Sequence, residues 1–179
     1  NLEAIYAIGR DTELDAVREY WSRGNGVYSD VNNWSTVPWG DPNHLNPSTT
    51  APIPPDPEVA PTGGAATVHI NVGHRIEMDQ NNTEAFNVEL LGELDALDFV
   101  GARFRDVYGD GRMTMRPAGV NANLPDANWA QFVADGGTHE FAGNSNYTLP
   151  APAQIVEYFN VELTGTGTRT VAVNNTRVL

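Results

Sequence analysis

A nine-residue segment occurs twice in this 179-residue chain. Residues 84–92 read EAFNVELLG and residues 157–165 read EYFNVELTG, so seven of nine positions are identical at an offset of 73. Short alternating segments also follow four glycines, namely Gly92, Gly111, Gly137 and Gly167. Successive members of this series are spaced by 19, 26 and 30, with a mean of 25 that is close to one third of the offset. Units of roughly 20–30 residues built from short strands and turns are typical of a solenoid whose rungs stack.

The region from residue 65 onward predicts an all-β fold, with period-two alternation and no useful helical period. We therefore expect a parallel β-helix, or β-solenoid, and keep an antiparallel β-sandwich as the alternative. Two sets of three apolar residues are predicted to point inward: Phe86, Val88 and Leu90, and their counterparts Phe159, Val161 and Leu163. Four polar neighbours are predicted to point outward: Asn87, Glu89, Asn160 and Glu162.

The part of the chain before residue 65 has a different pattern. A short helix is predicted over residues 12–21, because Leu14, Val17, Arg18 and Trp21 follow a helical period after an acidic first turn. We expect residues 1–35, with this helix and a Trp-rich segment, to cap the solenoid. Residues 36–64 hold seven of the twelve prolines and predict a long extended loop. Residues 65–179 are then the rungs, which we expect to continue beyond the last residue.

Composition excludes several classes of protein. Twenty-three acids against ten bases give a net charge of −13, which argues against binding to nucleic acid or to an anionic membrane surface. The absence of cysteine excludes disulfides, thiolate zinc sites and cysteine nucleophiles. No apolar run approaches the length of about 18 residues that membrane insertion needs.

A resemblance to a known family rests on four elements in order along residues 19–175. They are EYWSRGNGVYSDVNNWS (residues 19–35), ATVHINVGHRI (residues 66–76), the rung from Phe86 to Leu94, and Leu149-Pro150 followed by EYFNVELTGTGTRT (residues 157–170). Together they resemble large secreted and cell-surface proteins of gliding bacteria that are exported by type IX secretion. The chain departs from the family pattern at Tyr28, where a second Trp is usual, and at Arg169, where Lys is usual.

This resemblance implies a right-handed β-helix at the cell surface, in an adhesin, motility or filament protein, with no catalytic residues. We therefore expect an extracellular structural or adhesive module that is not an enzyme. Its expected partners are further copies, neighbouring domains of the same large protein, or surface glycans. The alternative is a carbohydrate-binding or polysaccharide-degrading β-helix domain.

Two groups of residues are candidates for metal binding, although no cofactor is expected otherwise. Asp106 and Asp110 flank a Gly-bearing turn and supply the hard oxygen ligands that Ca²⁺ prefers, but the twelve-residue loop of an EF-hand is absent. His69 and His74 lie in adjacent predicted strands, but no third ligand stands at a zinc-site spacing. Solvated turn and strand residues are the simpler interpretation of both groups.

Acidic and aromatic residues supply the remaining candidates. Glu93, Asp95 and Asp98 lie along one rung, where paired carboxylates could perform acid–base chemistry, although a polar outer face produces the same pattern. Trp34, Trp39 and Trp129 are candidates for an interface or for stacking on glycans. Plugging the end of the solenoid is the alternative role for Trp34.

Overall fold

The structure is a computed structural model that describes residues 18–38, 66–119, 124–149, 157–171 and 177–178. Within these ranges the chain forms sixteen strands, one 3-10 helix (Val31–Asn33) and one α-helix (Ala130–Asp135). The strands before residue 100 are β1 Arg18–Ser22, β2 Gly26–Val27, β3 Trp34–Ser35, β4 Ala66–Ile70, β5 Arg75–Glu77, β6 Glu84–Leu90 and β7 Glu93–Asp95. The later strands are β8 Arg103–Tyr108, β9 Arg112–Met115, β10 Asp126–Asn128, β11 Thr138–Phe141, β12 Tyr147–Leu149, β13 Glu157–Tyr158, β14 Asn160–Leu163, β15 Arg169–Val171 and β16 Arg177–Val178.

Two six-stranded sheets carry the architecture. Sheet A has the order β10-β8-β6-β4-β1-β3 and sheet B the order β14-β11-β9-β7-β5-β2, while β12 pairs with β15 and β13 with β16. In the described part of the chain, every pairing is parallel except that of β1 with β3. From β4 to β11 the chain alternates between the sheets, so each rung contributes one strand to each. The predicted parallel β-solenoid is confirmed, with about four turns, and the β-sandwich alternative is wrong.

The core lies between the two sheets and consists of columns of paired residues. In sheet B the column runs through Ile76, Leu94, Met113, His139 and Val161. In sheet A it runs through Tyr20, Val68, Val88 and Val107. Except for Val161, which is partly buried, the members of both columns are at most 3% exposed. Burying each large apolar side chain contributes about 1.5–3 kcal/mol, so stacking the rungs supplies the stabilisation that one rung lacks.

The glycine spacing predicted part of the rung register. Gly92, Gly111 and Gly137 directly precede β7, β9 and β11, which are neighbours in sheet B. At Gly92 and Gly111 a Cβ atom would lie within 3.0 Å of backbone oxygens of the preceding rung, so glycine is needed where successive turns touch. The segment after Gly167 differs, because β15 pairs with β12 outside sheet B.

The nine-residue repeat does not occupy equivalent places. Its first copy forms β6 in sheet A, whereas its second copy spans β13 and β14, and β14 lies in sheet B. The offset between the two copies is therefore not three rungs of one sheet. The local sequence specifies a strand and a turn, and the sheet it joins depends on how much chain precedes it.

The predicted inward residues are only partly right. Val88 and Leu90 are fully buried, but Phe86 is half-buried under the Arg105 guanidinium and Phe159 is 41% exposed. Both copies carry two consecutive outward residues at this point, which shifts the phase of the alternation. Val161 and Leu163 pair with the buried residues His139 and Phe141, yet Leu163 is 56% exposed because it lies in the terminal strand of sheet B.

The predicted helix over residues 12–21 is wrong where the structure describes it. Residues 18–22 form β1, which pairs in parallel with β4. Tyr20 and Ser22 are buried while Glu19 is exposed, so a two-residue period prevails over the helical one. Residues 12–17, the segment 39–64 of the predicted loop, and Trp39 lie outside the described residues.

The helix Ala130–Asp135 was not predicted from the sequence. Its six residues are too few to display a helical period, although its stop signal is visible in the sequence. Gly136 adopts a φ of 95°, and the N–H groups of Gly136 and Gly137 donate to the carbonyls of Val133 and Phe132. This glycine-dependent arrangement is a Schellman-type end, which returns the chain to sheet B.

Candidate functional site

The aromatic candidates do not form a surface site. Trp34 is 0% exposed, donates from Nε1 to the Tyr28 carbonyl at 2.8 Å, and meets the Tyr28 ring edge-on. Trp129 is 1% exposed and packs against Phe132 and His139. The prediction that these two tryptophans contact glycans is therefore wrong, because both rings fill the core.

The calcium candidates have separate surroundings. Asp106 accepts a hydrogen bond from the Asn128 amide at 2.9 Å and pairs with Arg105 at 3.3 Å. Asp110 is exposed in the turn after β8. Among the residues that the structure describes, no group of three or more His, Cys, Asp or Glu side chains could hold a metal ion. Calcium binding stays a prediction without a described ligand cluster.

The two candidate histidines point to different places. His69 lies in β4 on the outer side of sheet A, with its Nδ1 at 2.6 Å from the Glu89 carboxylate. The Nδ1 atom of His74 lies 2.7 Å from the hydroxyl of Ser22, which is fully buried. Burial keeps this hydroxyl away from any substrate, so the Ser22–His74 contact is a structural hydrogen bond.

Sheet B carries the predicted acid–base residues, and arginines engage them. Asp95 is 0% exposed, and its carboxylate accepts from Arg75 at 2.5 Å, from Arg116 at 2.8 Å and from the Leu97 amide at 2.9 Å. Glu93 accepts from the Thr114 hydroxyl at 2.9 Å. Desolvation by burial opposes the charged form of Arg75. Its hydrogen bond to Asp95 and the charges of Asp95, Glu93 and Glu77 together outweigh this effect, so the Arg75 pKa is raised.

A second set of ion pairs extends this arrangement to the last rung. Arg112 contacts Glu140 at 2.9 Å and Glu162 at 2.6 Å, one and two strands away. The hydrogen bond to Glu162 is the main cause that raises the Arg112 pKa, and the same bond lowers the Glu162 pKa. The outer face of sheet B is therefore a ladder of paired charges whose groups bond mainly to one another.

The outer face of sheet A carries a row of larger side chains. Register places Trp21, His69, Glu89 and Tyr108 side by side on four neighbouring strands. The Trp21 and His69 rings stack with centroids 4.6 Å apart and planes 6° apart. Partial burial and then the charges of Glu89 and Glu19 raise the pKa of Tyr108. We call these four residues the sheet A row; the side chains are partly exposed.

A groove lies at the start of β6, β8 and β10, of which β6 and β8 also carry the row at their other end. It encloses about 690 Å³, and three of its polar lining residues, Glu84, Arg103 and Asp126, are the paired first residues of β6, β8 and β10. Arg105 and Asn128 supply further polar groups, and Ala85, Phe104 and Ala127 supply apolar atoms. This volume falls within the range of small-molecule sites, about 300–1,000 Å³.

Sequence reasoning missed both the row and the groove. Neighbours in the row belong to different rungs and lie far apart along the chain, and only the strand register brings them together. The signal present in the sequence was alternation, since Trp21, His69 and Glu89 flank apolar residues in their strands. Alternation shows which residues of a strand face outward. It does not show which residues of other strands lie beside them, because that depends on the length of each rung.

Comparisons with protein-family models, with curated proteins and with solved structures yield no match. The fold defines the class to which the chain belongs, the parallel β-solenoids. No helix within the described ranges has both the length and the apolar character needed to cross a membrane.

Proposed function

We propose that this chain is a structural and adhesive module of a large secreted bacterial protein, located at the cell surface or in an extracellular filament. Type IX secretion by a gliding bacterium is part of the same proposal and rests on the resemblance of residues 19–175. The partners are surface glycans, neighbouring domains or further copies. Calcium at Asp106 and Asp110 remains an optional element of the proposal.

One observation carries the adhesive role, namely the difference between the two outer faces. Sheet B presents carboxylates and arginines that bond to one another, as at Asp95 and Arg112. Sheet A instead presents an aromatic stack, partly exposed polar groups and a groove. The charged groups of sheet B bond to one another, whereas sheet A offers aromatic and polar groups to a partner. Sheet A is therefore the face suited to attachment.

An adhesion assay tests this proposal. Beads coated with the purified chain are expected to remain on polysaccharide-coated surfaces under flow, whereas beads coated with heat-denatured chain are washed away. Equal loss of both kinds of bead would contradict adhesion. Antibody labelling of intact cells of the producing bacterium tests the surface location, and labelling only after lysis would contradict it.

The second candidate function is a polysaccharide-degrading domain, and the groove beside exposed carboxylates is the observation that favours it. A reducing-sugar assay on the same surface polysaccharides separates the two functions. We expect no release of reducing ends during an incubation in which the beads adhere. Sustained release would replace the adhesive proposal by the enzymatic one.

A further inference from the structure

We infer that the groove at the start of β6, β8 and β10 binds a neutral saccharide. This inference rests on the proposed adhesive function, for which it supplies a ligand class and a site. Its polar side chains are Glu84, Arg103, Arg105, Asp126 and Asn128.

The two arginines of the groove are available to a ligand. The side chains of Arg103 and Arg105 are 72% and 64% exposed. Arg103 reaches the acid Glu84 only at 4.0 Å, and Arg105 pairs with Asp106 through its Nε at 3.3 Å. By contrast, Arg75 and Arg112 on sheet B are held by contacts of 2.5 Å and 2.6 Å. The guanidinium groups in the groove therefore keep donors for a ligand.

Two polar side chains of the groove, Arg105 and Asn128, are held in position by neighbouring residues. The Arg105 guanidinium carbon lies 4.6 Å from the centre of the Phe86 ring, a cation–π contact that favours one position of this long side chain. Asn128 is fixed by its bond to Asp106 at 2.9 Å and by accepting from the Ala130 amide. These groups are held before any ligand arrives, which reduces the entropy lost on binding.

The charges of the groove favour a neutral ligand. Two arginines and the two acids Glu84 and Asp126 cancel in the groove, while the whole chain carries −13. A polyanion would gain nothing from the groove as a whole and would be repelled by the rest of the molecule. Sugar hydroxyls both donate and accept, so they match guanidinium donors beside carboxylate acceptors.

The length of the groove matches a short saccharide. The groove crosses three stacked strands, roughly 10 Å at the usual strand spacing, which is comparable to the length of a disaccharide. Ala85, Phe104 and Ala127 line the groove but are only 3–4% exposed, so the apolar atoms that the C–H face of a sugar ring can contact are the aliphatic parts of Arg103 and Arg105. Apolar atoms with a few convergent polar groups are the usual composition of a saccharide-sized site.

Calorimetric titration of the folded chain tests the inference. The neutral probes are cellohexaose, maltohexaose and chitohexaose, and the anionic probe is trigalacturonate. We expect at least one neutral probe to bind, and the double variant Arg103→Ala/Arg105→Ala to weaken that binding about tenfold or more. Arg18→Ala is the matched control, because it removes one exposed arginine from β1, three strands away from β8 in sheet A.

Circular dichroism first establishes that each variant is folded, and Glu84→Gln/Asp126→Asn gives a second test that preserves side-chain size. Three results would overturn the inference: preference for trigalacturonate, unchanged affinity in both double variants, or no binding of any neutral probe by the folded chain. Adherent beads without saccharide binding would leave the proposed function standing. Saccharide binding without adherent beads would support the groove as a saccharide site and contradict the adhesive function.

Discussion

Asp95 is the charged residue on which the sheet B ladder depends. Its fully buried carboxylate holds Arg75, Arg116 and the Leu97 amide. Replacing Asp95 by Asn keeps the shape but removes the buried charge that both guanidinium groups share. We expect Asp95→Asn to lower the free energy of unfolding by about 3 kcal/mol, measured by urea denaturation. Asp98→Asn, at an exposed position of the following turn, is the control and should change it by less than about 0.5 kcal/mol.

His139 makes stability depend on pH. Its ring is buried among the Trp129, Phe132 and Tyr158 rings, neither ring nitrogen has a hydrogen-bond partner among the described residues, and desolvation lowers its pKa from 6.5 to about 3. Above pH 6.5 both folded and unfolded states are neutral, so the group has no effect on stability. Below that pH the unfolded chain gains a proton that the folded chain excludes, which lowers the free energy of unfolding by about 1.4 kcal/mol per pH unit.

The variant His139→Phe measures this effect, because a Phe ring keeps the aromatic packing without a titrating group. Between pH 6.5 and pH 5 we expect the wild type to lose about 1.6 kcal/mol more than the variant, because the unfolded histidine is already half protonated at pH 6.5. Urea denaturation at both pH values gives this difference, in which the other titrating groups cancel. Parallel loss in the two proteins would mean that His139 accepts a proton in the folded state.

At the scale of an element, close contact between rungs requires glycine before some of the strands. A Cβ atom at Gly111 would come within 3.0 Å of the Leu90 and Gly92 carbonyl oxygens, and neither backbone can move without shifting a strand. We expect Gly111→Ala to destabilise the fold by about 3 kcal/mol, as a lower midpoint in urea. Gly24→Ala is the matched control, since no atom of the described residues lies within 4 Å of its Cβ position. Equal midpoints for the two variants would contradict this account.

The same scale explains what the sequence could predict. Alternation and glycine spacing predicted the parallel rungs and the burial of Val88 and Leu90, because both depend on local sequence. They did not predict that Phe86 faces outward. Two consecutive outward residues, Phe86 and Asn87, interrupt the alternation, and an apolar residue at the first of them looks in the sequence like an inward one. The neighbours Trp21 and His69 lie on either side of the long proline-rich segment, and only the register of β1 with β4 joins them. The sheet A row therefore could not be predicted.

Net charge acts on the molecule as a whole. The chain carries −13, so its exposed carboxylates repel one another. The Asp95 pairs are partly buried, since the carboxylate is fully buried and its arginines are 37% and 39% exposed, and dissolved ions weaken them less. Salt should therefore relieve more repulsion than attraction. Between 10 mM and 500 mM NaCl we expect the melting temperature to rise by about 2–4 °C, equivalent to about 1 kcal/mol for a domain of this size.

Scanning calorimetry of the wild type and of Asp98→Arg checks this prediction. The substitution changes the net charge from −13 to −11 at an exposed site, so the variant should gain less from salt than the wild type. A melting temperature that falls with salt would mean that exposed pairs such as Arg103–Glu84 and Arg105–Asp106 outweigh the general repulsion.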